Sequence, residues 1–186
     1  MLNIGIDIGG TKIAGGVVDE NGAIVEKLRV DTPIDPVALV DAVVDMAEHL
    51  RRGHDGDAWH GSPLRKTLDG VTAEVAYARP IPNAHSIWEI VAHLAAWAGV
   101  VTDRIAERRA IEAPDSGDFP AVTESGPEAW AEALRELDRQ HARLVETVSL
   151  LDPARLRETV AGKGYSTAHM IRGVMQHVAY HAGQIA

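Results

Sequence analysis

GVMQHVAYHAGQIA, Gly173 to Ala186, is the stretch that decides how this chain is read. On a helix turning about 100° per residue, His177 and His181 stand one turn apart, with Met170, Val174, Val178 and Ile185 on the same side. Both imidazoles therefore point where the apolar residues point, into a helical core. Upstream, Ile90, His93, Trp97 and Val100 also share one face, so a third imidazole is turned inward. Neutral imidazoles converging from two helices form a facial nitrogen set. Such a set suits Zn²⁺, Ni²⁺ or Fe²⁺ and leaves coordination positions open for water or substrate. A lone core histidine is more often hydrogen-bonded packing than a ligand. Several unpaired imidazoles buried together would be costly without a shared purpose.

Working outward, the start signals around these segments are helical. Ser62-Pro63 reads as an N-cap followed by proline at N1, and Ser86-Ile87-Trp88-Glu89 and Ser125-Gly126-Pro127-Glu128 both fit the capping-box pattern. These signals predict helices at roughly 62–69, 87–109, 127–150 and 167–185, with short turns near 72–78 and 153–158. Pro80 and Pro82 break the chain before one long helix, and Pro114 to Pro127 forms a long loop before the next. Each long helix hides only one stripe, so the expected arrangement is an up-and-down antiparallel four-helix bundle.

The first third of the chain has a different character. From Leu2 to Val30 the segments LNIGIDI, KIAGGVVD and AIVEKLRV, separated by Gly9-Gly10 and Asn21-Gly22 turns, predict a three-stranded antiparallel β-meander. A helix follows from Val37 to Arg52, with Leu39, Val40, Val43, Val44, Met46, Ala47 and Leu50 at helical spacing. Every aromatic residue lies at or after Trp59, and the glycine-rich run GHDGDAWHG, 53–61, separates the two styles of sequence. The chain looks like two sequences joined, with one part at 1–55 and the other at 56–186. The helix at 37–52 belongs with the strands by sequence but is free to close the bundle as its first helix.

Composition narrows the function classes. A formal net charge of −9 leaves no basic patch for a phosphate backbone, so nucleic acid is not an expected partner. With no cysteine there are no disulfides or thiolate zinc sites, which fits a reducing compartment, and any metal must be held by His, Asp or Glu. No positively charged leader is visible, and no apolar run approaches the ~20 residues that span a bilayer. A cytoplasmic location without membrane partners is expected.

The runs WHGSPLRKTLDGVTAE (Trp59 to Glu74), ARPIPNAHSIWEIVAHLAAW (Ala78 to Trp97) and GVMQHVAYHAGQIA resemble the DinB-like superfamily over about 57–186. That resemblance implies a four-helix bundle, often dimeric, with a divalent metal on three histidines. The matching positions here are His93, His177 and His181. Some members are thiol-dependent S-transferases or hydrolases that use low-molecular-weight thiols, and many have no assigned activity, so the resemblance implies a metal more firmly than a reaction. A metal there would act as a Lewis acid on water or an incoming thiol, with a small molecule or thiol as partner. No general base is visible, and the catalytic residues are unassigned. His60, Trp97 and Tyr180 are candidates to support the ligands from behind, although His60 in its glycine-flanked turn and Tyr180 on the flank of the ligand face also read as structural. His85 and His169 read as surface residues.

DIGGTK, Asp7 to Lys12, carries the other signature. A tight glycine turn between strands places Asp7 near a cation and lets the backbone of Gly9, Gly10 and Thr11 approach phosphate oxygens. NIGIDIGGTKIAGGVVDENGAIVEKLRVDTP resembles the opening of the ROK sugar-kinase family, glucokinases included, and the similarity extends to about Asp55. By that resemblance Asp7, Gly9, Gly10, Thr11 and Lys12 match the first phosphate loop. A kinase of this kind also needs a second phosphate loop, an adenosine-binding segment, a catalytic aspartate and usually a cysteine-rich zinc motif, and none of these follows residue 55. Phosphoryl transfer depends on several loops placed around the nucleotide, so the loop is expected to be vestigial and ATP with Mg²⁺ is not an expected cofactor. A third expectation is non-enzymatic: a bundle with structural histidines whose N-terminal strands serve dimerisation, as a fusion protein would use them.

Overall fold

The computed structural model describes the secondary structure of residues 3–8, 12–18, 24–31, 36–59 and 61–186, and side chains at 37–59 and 61–186. The chain is mainly helical. Helices α1 (Pro36–Asp55), α2 (Leu64–Thr67), α3 (Ala73–Tyr77), α4 (Ile87–Glu107), α5 (Pro127–Ser149) and α6 (Thr167–Ile185) follow one another, with a 3-10 turn at Pro153–Arg157. Before them, the strands β1 (Asn3–Ile8), β2 (Lys12–Val18) and β3 (Ile24–Asp31) pair antiparallel in that order, Asn3 opposite Val18 and Lys12 opposite Asp31. The Asp7 to Lys12 turn lies partly outside the described residues, as does His60.

Local chemistry sets where the helices begin. Ser86 accepts from the Glu89 amide at 3.2 Å while Glu89 Oε2 accepts from the Ser86 amide at 2.8 Å, a complete capping box that holds the start of α4. Ser166 caps α6 by accepting from the His169 amide. The box expected at Ser125 does not form: Gly126 is the N-cap, and Pro127 opens α5. Ser125 thus sits one residue too early for its hydroxyl to reach the free amides. Likewise Pro63, expected at N1, is the N-cap of α2.

Helix directions correct the up-and-down expectation. Trp88 packs on Trp130, Gly99 approaches Gln140, and Asp103 pairs with Arg143, so residue numbers rise together along both helices and α4 and α5 run parallel. His93 meets His177 and Arg104 meets Tyr165 just before α6, which makes α6 antiparallel to α4. The end of α1 touches mid-α5 through His54 to Asp138, while α1 also packs on the 3-10 turn beyond the end of α5, so these two are antiparallel. The order is up, down, down, up. Parallel neighbours need a connection as long as the helices. Residues 108–126 supply it, since α4 is roughly 31 Å long and such a strap can reach about 60 Å.

α1 packs against α5 and α6 and closes the bundle. Its buried stripe is Val43, Met46, Ala47 and Leu50, spaced i, i+3, i+4, i+7, and it belongs to one core cluster with Val101, Leu144, Val148, Ile171 and Val174. A second cluster, with Leu64, Trp88, Val91, Leu94, Trp130 and Leu137, fills the end of the bundle where α4 and α5 begin. There the Trp130 indole N–H donates to the Val71 carbonyl at 2.8 Å, which ties the α2–α3 connection onto α5.

Candidate metal centre

His93 lies on the buried face of α4, 4% exposed, and α6 turns His177 and His181 toward it from the opposite side. The Nε2 atoms of His93 and His177 are 2.8 Å apart, and those of His177 and His181 are 3.0 Å apart. One ligand atom from each of the three lies within 4.8 Å of the others. Metal–imidazole bonds of about 2.0–2.1 Å in a tetrahedral set put nitrogens about 3.3 Å apart, so His177 needs to separate from each neighbour by only a few tenths of an ångström.

The outer nitrogens fix the protonation of the inner ones. His93 Nδ1 donates to the Asp118 backbone carbonyl at 2.5 Å, and His181 Nδ1 donates to Gln184 Oε1 at 2.6 Å. A carbonyl oxygen only accepts, so both Nδ1 atoms carry the proton and both Nε2 atoms present lone pairs inward. Gln184 is oriented in turn by its Nε2 donating to the Tyr180 hydroxyl at 3.1 Å. Burial pushes His177 down to about 4, with His181 and His93 adding to the effect, and burial also lowers His181 against the opposing Gln184 bond. Neutral His177 and His181 at pH 7 are the forms that bind metal.

The strap at 108–126 reaches over this cluster. Phe119 stacks on His93 with ring centroids 4.1 Å apart and on His85 at 3.5 Å, so His85 forms part of an aromatic layer. Trp97 donates from Nε1 to Asp118 Oδ1 at 2.8 Å, which places it behind His93 by way of Asp118. Tyr180 is 63% exposed, meets the His181 ring edge-on with centroids 5.0 Å apart, and also reaches the cluster through Gln184. Asp118, Phe119 and Gln184 were missed from sequence. Gln184 follows His181 by three residues on one helix face and was legible in principle. Asp118 acts on His93 through a backbone carbonyl, which no side-chain pattern reveals.

From His93 and His177 a groove of about 500 Å³ runs between α4 and α6, walled by Trp97, Val101, Arg104, Tyr165, Met170 and Val174. A larger concavity, about 680 Å³, opens beside His54 and His141 between α1 and α5. Size does not decide between them: among the described residues, only the His93 cluster gathers three groups able to hold a metal. No helix there is long and apolar enough to cross a membrane.

Comparison with known proteins divides the chain at the end of α1. Residues 3–57 match the ROK family. Glucokinases of Streptomyces coelicolor and Streptomyces lividans are each 56% identical to this chain over 54 residues, 29% of the chain. The chain spans only 17% of the length of these relatives. α1 falls inside the ROK-like segment, yet its apolar stripe is part of the helical core. The histidines, the groove and the strap all fall within residues 58–185, which match the DinB superfamily model, and by that match the chain belongs to the DinB superfamily.

Proposed function

We propose that this protein binds one divalent metal through His93, His177 and His181 and uses it as a thiol-dependent S-transferase or metal-dependent hydrolase. The observation that carries the proposal is the inward convergence of the Nε2 atoms, with the Nδ1 protons of His93 and His181 committed to Asp118 and Gln184. Bound there, Zn²⁺, Ni²⁺ or Fe²⁺ would supply Lewis acidity that makes a nucleophile available from water or a thiol near neutral pH. The chain's own residues hold the site in shape. Asp118 and Gln184 fix two ring orientations, Phe119 covers the His93 ring, and the groove beside Trp97 admits a small molecule from one side. The resemblance to thiol-using members of the superfamily favours a low-molecular-weight thiol as co-substrate. In this proposal the ROK-like strands at 1–55 are an appended unit whose helix completes an otherwise DinB-like bundle, and a homodimer is the expected assembly.

The test is conjugation of a cysteine-derived thiol to 1-chloro-2,4-dinitrobenzene, followed by absorbance with Zn²⁺ and with excess chelator. Metal-dependent turnover that disappears in His177→Ala supports transfer, and a rate equal to that of buffer rejects it.

A second reading, ATP-dependent sugar phosphorylation, draws on the 54-residue likeness to glucokinases. That segment contributes the residues of one phosphate loop, Asp7 and Gly9 to Lys12, where phosphoryl transfer needs several groups placed around the nucleotide. A glucose and ATP assay is expected to yield no glucose phosphate, and steady product would reinstate this reading.

A further inference from the structure

Arg104 is a buried cation with no direct ion pair among the described residues. It is 7% exposed, yet among the described residues no carboxylate lies within ion-pair distance of it. Its Nε donates to the Ile111 carbonyl at 2.8 Å, and its Nη2 donates to the Ile111 and Glu112 carbonyls at 2.5 and 3.0 Å. Nη1 reaches only the Tyr165 hydroxyl, at a long 3.4 Å, and so keeps donor capacity to spare. Nearby acids are occupied elsewhere: the Glu112 carboxylate pairs with Lys163, and Asp118 Oδ1 accepts from Trp97. Carbonyl dipoles, the Trp97 face and the more distant Glu112 carboxylate offset part of the cost of burying a guanidinium, but no carboxylate is in direct contact with it among the described residues.

That guanidinium lines the same groove as the histidine cluster, toward the opposite end. Its Cζ lies 5.6 Å from the Trp97 ring centroid, and the walls between it and His177 are apolar: Val101, Met170 and Val174. Along α6 the groove extends from His169 to His177, roughly 12 Å at the helical rise. The negative carboxylate of Asp118 stands at the histidine end, so an anionic ligand group is favoured at the Arg104 end. Gly173 forms part of the wall, and a Cβ built on it meets nothing within 4 Å, so the groove is open there.

We propose that this groove takes an elongated small molecule with a carboxylate at one end, held by Arg104 beside Tyr165, an apolar middle against Val101, Met170 and Val174, and its reacting group at the histidine cluster. The identification of the reacting end rests on the metal-centre proposal, whereas carboxylate recognition by Arg104 does not. With Nε and Nη2 already committed to the Ile111 and Glu112 carbonyls, the charged Nη1 is the donor left for a ligand oxygen, and a charge-assisted bond favours a carboxylate over a neutral amide of the same shape.

The experiment is calorimetric titration of the full chain with 6-phenylhexanoate and with its neutral analogue 6-phenylhexanamide, with and without excess chelator. The acid is expected to bind at least about 10-fold more tightly than the amide in both conditions, because a hydrogen-bonded charge is recognised without help from a metal. In Arg104→Met that preference falls to within about twofold. Equal affinity of acid and amide, or a preference that survives Arg104→Met, overturns the proposal. Because Arg104 also secures carbonyls of the strap, a second variant guards against simple loss of folding. Gly173→Leu projects into open groove, and it should weaken the acid by at least about 10-fold with an unchanged melting temperature. Unaltered binding by that variant equally overturns the proposal. Loss of the acid preference only under chelator would assign it to the metal and remove Arg104 from the account. An absent metal with the preference intact would instead reject the metal centre alone.

Discussion

Lowering the pH from 8 to 5 should loosen the junction between α1 and the rest of the bundle, and His141 contributes a definite share of the effect beside His54, His177 and His181, which burial also lowers. Its ring stacks on His54 with centroids 4.0 Å apart and planes 9° from parallel. His54 Nδ1 and His141 Nε2 are both buried without a partner, while His54 Nε2 bonds Asp138 at 2.8 Å. Burial, and then the neighbouring His54, hold His141 down at about 3, against an ordinary value of 6.5. In the folded chain His141 therefore stays neutral through the window in which the unfolded chain takes up a proton. The unfolded state binds more protons, so stability falls as pH drops from about 6.5 toward 3. pH 5 lies about 1.5 units below the pKa of the unfolded imidazole, so His141 alone contributes a loss of about 2 kcal/mol relative to pH 8, and the other buried histidines add to it. Urea unfolding at both pH values, with chelator present throughout to remove metal linkage, measures that loss. His141→Leu should reduce it by about that amount. A wild-type stability unchanged between pH 8 and pH 5, or an identical pH profile in His141→Leu, would refute the reasoning.

Other perturbations test separate parts of the account. Leu50, 2% exposed on α1, packs in the core cluster shared with α5 and α6. Leu50→Ala should cost about 2–5 kcal/mol by urea denaturation, and a cost near zero would mean that α1 is not part of the bundle. Ser86→Ala removes the hydroxyl half of the α4 capping box and should cost about 1 kcal/mol, measurable as a shift in the urea midpoint. Gln184→Leu takes the acceptor from His181 Nδ1, and metal affinity should fall about 10–100-fold in competition with a chromophoric chelator. Unchanged affinity would show that the His181 tautomer does not depend on Gln184.

The candidate site was more legible in the sequence than the topology around it. Side-chain direction on a helix follows from residue spacing, so the convergence of His93, His177 and His181 could be read from the faces of two segments without knowing how those segments connect. The capping box at Ser86 was legible for the same reason, since its partners are three residues apart. Helix direction is not local. Nothing in the amphipathic stripes of α4 and α5 distinguishes a parallel neighbour from an antiparallel one, and only the length of 108–126 hinted that the chain could return before starting α5. The Ser125 signal failed because the same four-residue pattern fits a helix start one residue away, where Gly126 and Pro127 take the terminal positions. Asp118 was invisible because it lies in a loop remote from the helix patterns and its closest contact with His93 is through its backbone carbonyl. Arg104 was overlooked because a lone arginine near the end of an amphipathic helix reads as solvated surface. The stripe of α1 left its role open: Val43, Met46, Ala47 and Leu50 fit a helical core, but only the structure shows them packed in the core shared with α5 and α6.

The most direct test of the central claim is elemental analysis of untagged full-length protein beside His177→Ala. The account predicts close to one equivalent of a divalent transition metal per chain in the wild type and none in the variant. A wild-type protein that stays metal-free after incubation with Zn²⁺, Ni²⁺ or Fe²⁺, with its fold intact, would contradict it.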